Sequence, residues 1–262
     1  MSATARRVVT IDLWNTLLDG EPLAEARHAA RVARTHALIA DYGYTAGAEE
    51  VAAAFAASTA AMMEARGVSP RDPGPRAQVE DMLRRLDPLR APDAAVVTAV
   101  HVGMTAVLYD FQPVPFAGVV EALAVLGRLA PLGLVSNTGW SGGATLRPVL
   151  RQQGISPHLA ALAFSDEVGW GKPDDRIFCH CLAGLDAAPP HTVLHVGDSL
   201  RADIAGAKRL GARACWITPP GEETEAALRA LDPLWRPDLV FPSVAAACTT
   251  LDLWLRGELF PA

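Results

Sequence analysis

Apolar residues in this chain follow two rhythms, and the change between them divides it. Residues 7–12 (RVVTID) are a short β-branched run stopped by an acid, the mark of a buried strand. From about residue 21 to residue 111 the texture is alanine-rich and helical, and helices are predicted near 22–42, 46–66, 77–87 and 91–109. The stretch VSPRDPGPR (68–76) breaks this texture with prolines and a glycine that do not continue a helix. Pro113 and Pro115 mark the way out. Short apolar runs then alternate with amphipathic ones. A helix over 117–129 sets Val119, Leu123, Leu126 and Leu129 on one face. Strands are predicted at 132–136, around 160–165, and at 192–197, 213–217 and 238–241, with helical segments between them.

Strand and helix in alternation imply a parallel sheet covered on both faces. The expected fold is α/β: a Rossmann-like parallel sheet core from residues 1–17 and 113–262, with residues 18–112 as a helical insertion after the first strand. A chain of 262 residues, half of them apolar, has enough material for such a core and a sizeable insertion.

This fold would bring a set of polar residues together, each just past an apolar run. They are Asp12 after the first strand, Ser136 in LGLVSNT, Lys172 in GWGKPDDRIF, Asp198 in VLHVGDS, and Asp203 five residues later. The carboxyl ends of parallel strands are where open α/β sheets bind ligands. A carboxylate there can attack phosphorus as a nucleophile. Two carboxylates side by side repel, and a hard divalent ion such as Mg²⁺ suits the pair Asp12 and Asp198. Lys172 adds a fixed positive charge for the nucleophile and the transferring group. Ser136 can hydrogen-bond a phosphoryl oxygen, as can Thr16 or the amides after Asp12. Asp203 can orient Lys172 or water on the metal. Singly, each residue has a plainer reading: a helix cap for Asp12, a surface lysine for Lys172, a first-turn acid for Asp203. The joint order is what carries the argument.

Charge and cysteine content narrow the classes. The formal net charge is −6, with no long basic block, which argues against nucleic acid as a partner. Four cysteines without CxxC spacing fit free thiols in a reducing compartment. Cys179-His180-Cys181 lies within a helical pattern, where neighbours i and i+2 diverge, so a zinc site is not expected there. The amino terminus reads as a strand rather than a signal peptide, and no run reaches the ~18 apolar residues of a membrane span. A cytoplasmic protein acting on a small anionic molecule is expected. Arg27, Arg31 and Arg34 share one helix face. That face either meets an anionic substrate or is simply solvated, and the second is the commoner case.

These motifs together resemble the haloacid dehalogenase superfamily, whose members are mostly phosphatases. The resemblance rests on DLWNTL with Asp12, Thr16 and Leu17, on LVSNT, on GKPDDRIF, and on VGDSLRADIAGAKRLGA, the longest and most specific. It implies Asp12 as nucleophile, Lys172 as charge partner, Mg²⁺ on Asp12, Asp198 and the Trp14 main-chain carbonyl, and Asp203 behind the metal. It places Thr16, Ser136 and Asn137 at the substrate, and makes residues 18–112 a cap that closes over the site.

One position departs from the family pattern. Phosphatases of the family have Asp two residues after the nucleophile, to protonate the leaving alcohol and activate water; here Trp14 stands there. An aromatic at that place resembles the dehalogenase branch, whose halide leaves without a proton. That branch lacks the metal carboxylate, whereas GDS with Asp198 looks like a metal site. The reading is therefore a phosphatase-type hydrolase. The alternatives are a 2-haloacid dehalogenase-type hydrolase, or a binding or regulatory homologue with weak turnover.

Overall fold

A strand buried on both faces belongs in the middle of a parallel sheet. The computed structural model describes residues 7–188, 192–218, 228 and 232–260. Its strands are β1 (Val8–Ile11), β2 (Leu18–Asp19), β3 (Val114–Pro115), β4 (Leu132–Ser136), β5 (Leu159–Phe164), β6 (Val193–Gly197), β7 (Arg213–Ile217) and β8 (Leu239–Phe241). Six of them form one parallel sheet in the order β5-β4-β1-β6-β7-β8. The chain fills one side of β1 first and then crosses to the other. β1 thus lies at the switch point, where neighbouring strand ends leave a crevice. The helical segment expected between the last two strands falls largely outside the described residues.

Between β2 and β3 run α1 (Ala24–Ala40), α2 (Ala48–Val68), α3 (Pro75–Leu86) and α4 (Ala94–Asp110). The proline-rich loop expected at 68–76 ends at Gly74, two residues early, because Pro75 opens α3. Its fixed φ and missing N–H suit a first helical turn. Asp93 caps α4 by accepting from the amides of Ala95 and Val96. The four helices share their own cluster of buried side chains, including Ile39, Phe55, Met82, Leu83 and Met104. At their base β2 and β3 pair antiparallel, a contact of two residues a side that is too short to read from sequence.

The period-2 alternation of the strands sorts side chains onto two faces. Val9 and Ile11 of β1 and Leu194 and Val196 of β6 pack against α5 (Val119–Gly127), α6 (Gly143–Gln152) and α10 (Val244–Arg256). Val8 and Val193 face the other layer, built on α8 (Asp175–Gly184) and α9 (Ala205–Arg209), while the short α7 (Ser165–Val168) follows β5. Leu129, expected on the buried face of its helix, is 38% exposed. Helix α5 ends at Gly127, so the 3.6-residue period no longer places residue 129. Among the described residues no helix is long and apolar enough to cross a membrane.

The insertion touches the sheet domain at more than its base. Trp140, from the loop after β4, enters the insertion's cluster, stacks on Phe55 at 4.2 Å and donates to Thr59 Oγ1. Arg71 forms an antiparallel bridge with Trp170, supported by Asp72 N to Gly169 O and Gly171 N to Pro70 O. Below that bridge Asp72 accepts from Arg66, Thr138 and Ser165, an almost fully buried polar knot. Except for Arg66 with Asp72, none of these contacts is local in sequence.

Candidate active site

The site grows from three adjacent strand ends. β1 delivers Asp12, β4 delivers Ser136, and β6 delivers Asp198 beyond Gly197. Lys172 arrives from the loop between α7 and α8, and Asp203 from a π-helical turn, Leu200–Ile204. The turn follows Ser199, whose side chain caps it by accepting from Ala202. Gly197 is glycine for a spatial reason: a Cβ there would run into the Asp203 carboxyl group.

Lys172 ammonium bridges Asp12 and Asp203, at 2.6 Å to the latter, and all three side chains are buried. One carboxylate oxygen from each of Asp12, Asp198 and Asp203 lies within 4.8 Å of the other two. Three acids thus share one lysine. Burial alone would lower the Lys172 pKa, but Asp12 and Asp203 outweigh it and raise it, so the ammonium stays charged. Burial would raise Asp203, but Lys172 and His195 pull it well below the carboxylate range. Asp12 is left as the disfavoured anion. Burial pushes it up to about 7 against the pull of Lys172, with Asp203 and Asp198 adding repulsion. Asp198 is likewise raised, by burial and then by Asp203.

His195 is a member of this group that the sequence reading missed. It lies on β6, fully buried, with Nε2 3.0 Å from Asp203 Oδ1 and Nδ1 2.9 Å from Thr10 Oγ1. Burial lowers its pKa, so the ring is neutral. An ionised Asp203 only accepts, so Nε2 carries the proton and the Thr10 hydroxyl donates to Nδ1. Thr10 and His195 are register partners across β1 and β6. The available signal was a lone polar residue in each of two otherwise apolar strands.

The remaining predicted residues are placed as follows. Ser136 is fully buried, and its hydroxyl makes only a long contact, 3.4 Å, to the Asn137 carbonyl. Thr16 is buried, and its hydroxyl has no partner. Asn137 spends its amide on the Lys172 main chain: Oδ1 accepts from Lys172 N at 2.6 Å and Nδ2 donates to Lys172 O at 3.0 Å. That geometry makes Asn137 a positioning residue for Lys172. Asn15 donates to Asp198 Oδ2 at 3.3 Å, and Asp19 caps the turn at Glu21. The half-buried Trp14 turns toward the insertion, lining a cavity with Arg27, Arg31 and Trp140. The arginine face is only partly solvated. Arg34 is exposed and pairs with Asp110, whereas Arg27 is 7% exposed and Arg31 is half-buried, because α1 lays this face over the loop after β4.

Comparison with known proteins agrees with this arrangement. Residues 6–211 match the model of the haloacid dehalogenase-like hydrolases. The chain belongs to that family. This hydrolase is 37% identical over 120 residues to a phosphoserine phosphatase of Thermus thermophilus, a match covering 45% of each chain. It spans less than half the length of the curated relatives it matches. Its fold is that of a 2-haloacid dehalogenase from Pseudomonas syringae (TM-score 0.67, 22% identity, 95% of this chain and 99% of that one). It is equally that of the HAD-hydrolase YfnB of Bacillus subtilis, solved with bound magnesium (TM-score 0.62, 20% identity, 95% and 100%).

Proposed function

We propose that this hydrolase acts on small phosphorylated molecules through a phosphoryl group carried on Asp12, with Mg²⁺ held by Asp12, Asp198 and the Trp14 main-chain carbonyl and supported by Asp203. Residues 18–112 serve as the cap over this site. The observation that carries the reading is the surplus of charge: three close carboxylates against one lysine. Hard oxygen donors in excess of their counter-charge fit a hard divalent ion. When bound, Mg²⁺ neutralises that surplus and the charge of the transferring phosphoryl group.

The residues divide the work. An Asp12 oxygen attacks phosphorus, and the bond from phosphorus to the leaving oxygen breaks. Lys172 holds Asp12 in place and offsets charge on the phosphoryl oxygens. Ser136 and Thr16 have hydroxyls with capacity to spare for those oxygens. Water then attacks phosphorus, releasing inorganic phosphate and restoring the Asp12 carboxylate. Trp14 has no acidic proton to give, so the leaving oxygen departs as an anion, and substrates whose leaving group stabilises that anion react fastest.

Trp14 also supports a second reading, in which Asp12 attacks carbon and displaces a halide that needs no proton. A screen of phosphate esters and 2-haloacids, with Mg²⁺ and with excess chelator, separates the two. The expected result is Mg²⁺-dependent release of phosphate that Asp12→Asn abolishes. Full turnover of a chloro- or bromo-acid in chelator would transfer the assignment to dehalogenase. Turnover of neither class would end both.

A further inference from the structure

Among the described residues, Arg27 and Arg31 carry charge that no ion pair answers. Arg27 donates Nε to the Phe111 carbonyl and Nη1 to the Gly20 carbonyl, both neutral acceptors. Arg31 donates Nη2 to Ser141 Oγ at 2.8 Å. Arg27 Nη2 and Arg31 Nε are shielded from water and, among the described residues, have no hydrogen-bond partner. Among the described residues neither forms an ion pair; the acid that Arg27 feels is the exposed Glu21. Burial, with Arg27 as the like-charged neighbour, lowers Arg31 to about 10. A buried guanidinium beside a half-buried one is unfavourable unless an anion completes them.

The space for one is present. A cavity of about 210 Å³ is lined by both arginines, Trp14, Asn137 and Ser141, and by a third arginine, Arg66, that Asp72 already neutralises. No acid lines it. Trp14 follows Asp12 by two residues, and Asn137 grips the Lys172 main chain, so the walls of this cavity are continuous with the segments that hold the nucleophile.

We propose that Arg27 and Arg31 bind a second anionic group on the substrate, a carboxylate or phosphate borne by the leaving group. This rests on the phosphatase reading of Asp12. With the phosphoryl group at Asp12, the leaving group runs along Trp14 and its own anion meets the guanidinium pair. Carboxylate and phosphate both suit the planar N–H fork of arginine.

The binding test uses malonate for the carboxylate arm, methylphosphonate for the phosphoryl arm and acetamide as the neutral control, each titrated by quenching of tryptophan fluorescence. The wild-type chain is expected to bind at least one anion and not acetamide. Arg31→Gln weakens that binding about tenfold or more, and Arg31→Lys restores part of it. The kinetic test compares phosphoglycolate with its amide. The preference in kcat/KM for the anionic substrate, about tenfold or more, collapses toward unity in Arg31→Gln. Anion binding without turnover of any phosphate ester would retain the pocket and remove the phosphatase reading. Turnover of esters with no preference for the anionic leaving group would remove the pocket alone. So would identical titrations in wild type and folded Arg31→Gln, or the absence of binding by either anion.

Discussion

Two buried charged regions lie on either side of Trp14, and they are built on opposite plans. At the strand ends, Lys172 is bracketed by Asp12 and Asp203, Asp203 is bracketed by Lys172 and His195, and His195 is held by Thr10. Positive charge there is fully answered, and the surplus is negative. Under the insertion, Arg27 and Arg31 meet carbonyls and a hydroxyl, and the surplus is positive. A network that answers its own cation is already organised when substrate arrives. One that does not must take its counter-charge from outside. On the proposed function, reaction belongs to the first region, and on the anion-pocket proposal selection belongs to the second.

The largest effect should come from Asp12→Asn. Loss of a nucleophile that acts as a unit with its neighbours lowers kcat by about 10⁴-fold or more. The folded state should keep its melting temperature within a few degrees, because one of three crowded acids is removed. Steady-state assays with a melting curve check both halves; retained turnover would break the assignment of reaction to the strand ends.

The contrast sharpens with one kind of truncation in both regions. Lys172→Met leaves Asp12 and Asp203 buried without their cation and should cost about 3–5 kcal/mol in denaturant unfolding. Arg31→Met removes a cation that lacks a buried counter-charge, and should cost less than ~1 kcal/mol or stabilise the chain. Equal costs would erase the distinction between the regions.

Trp14, the residue between them, sets the next effect. Without a general acid, aryl or acyl phosphates should outpace alkyl phosphates by an amount comparable with the ~10²–10⁴ that acid catalysis supplies. Trp14→Asp should narrow that gap, since it adds a carboxyl and leaves the main chain unchanged. Equal rates on both ester classes in the natural chain would mean that another group delivers the proton.

The smallest effect concerns His101 on α4, half-buried in the same insertion. Burial lowers its pKa, and Arg76 lowers it further against a weaker pull from Asp166. A histidine whose folded pKa lies below ~6.5 binds its proton better unfolded. It therefore withdraws stability as pH falls from about 6.5 through the folded value. With the ring partly exposed, the loss is small. His101→Gln should lose less stability than wild type between pH 7.5 and pH 5.5 in chemical denaturation. A steeper loss in the variant would contradict the sign.

The sequence by itself determined the alternation of strands and helices, a run of helices after the first strand, and most of the residues that meet at the strand ends. A strand buried on both faces is largely apolar, so β1, β4, β6 and β7 announce themselves, and the polar residue that ends such a run is conspicuous. Asp12 and Asp198 were legible for that reason, and Lys172 and Asp203 from the order of the motifs around them. Only the tertiary structure decided whom each polar group meets. Thr10 reaches His195 across 185 residues of sequence, Asn137 turns to Lys172 across 35, and Arg31 to Ser141 across 110. Trp140 leaves its own domain for a slot beside Phe55. The difference is physical. Periodicity records which face of an element is dry, a local property. Pairing and desolvation of charge depend on which dry faces meet, and that is settled only when distant segments pack.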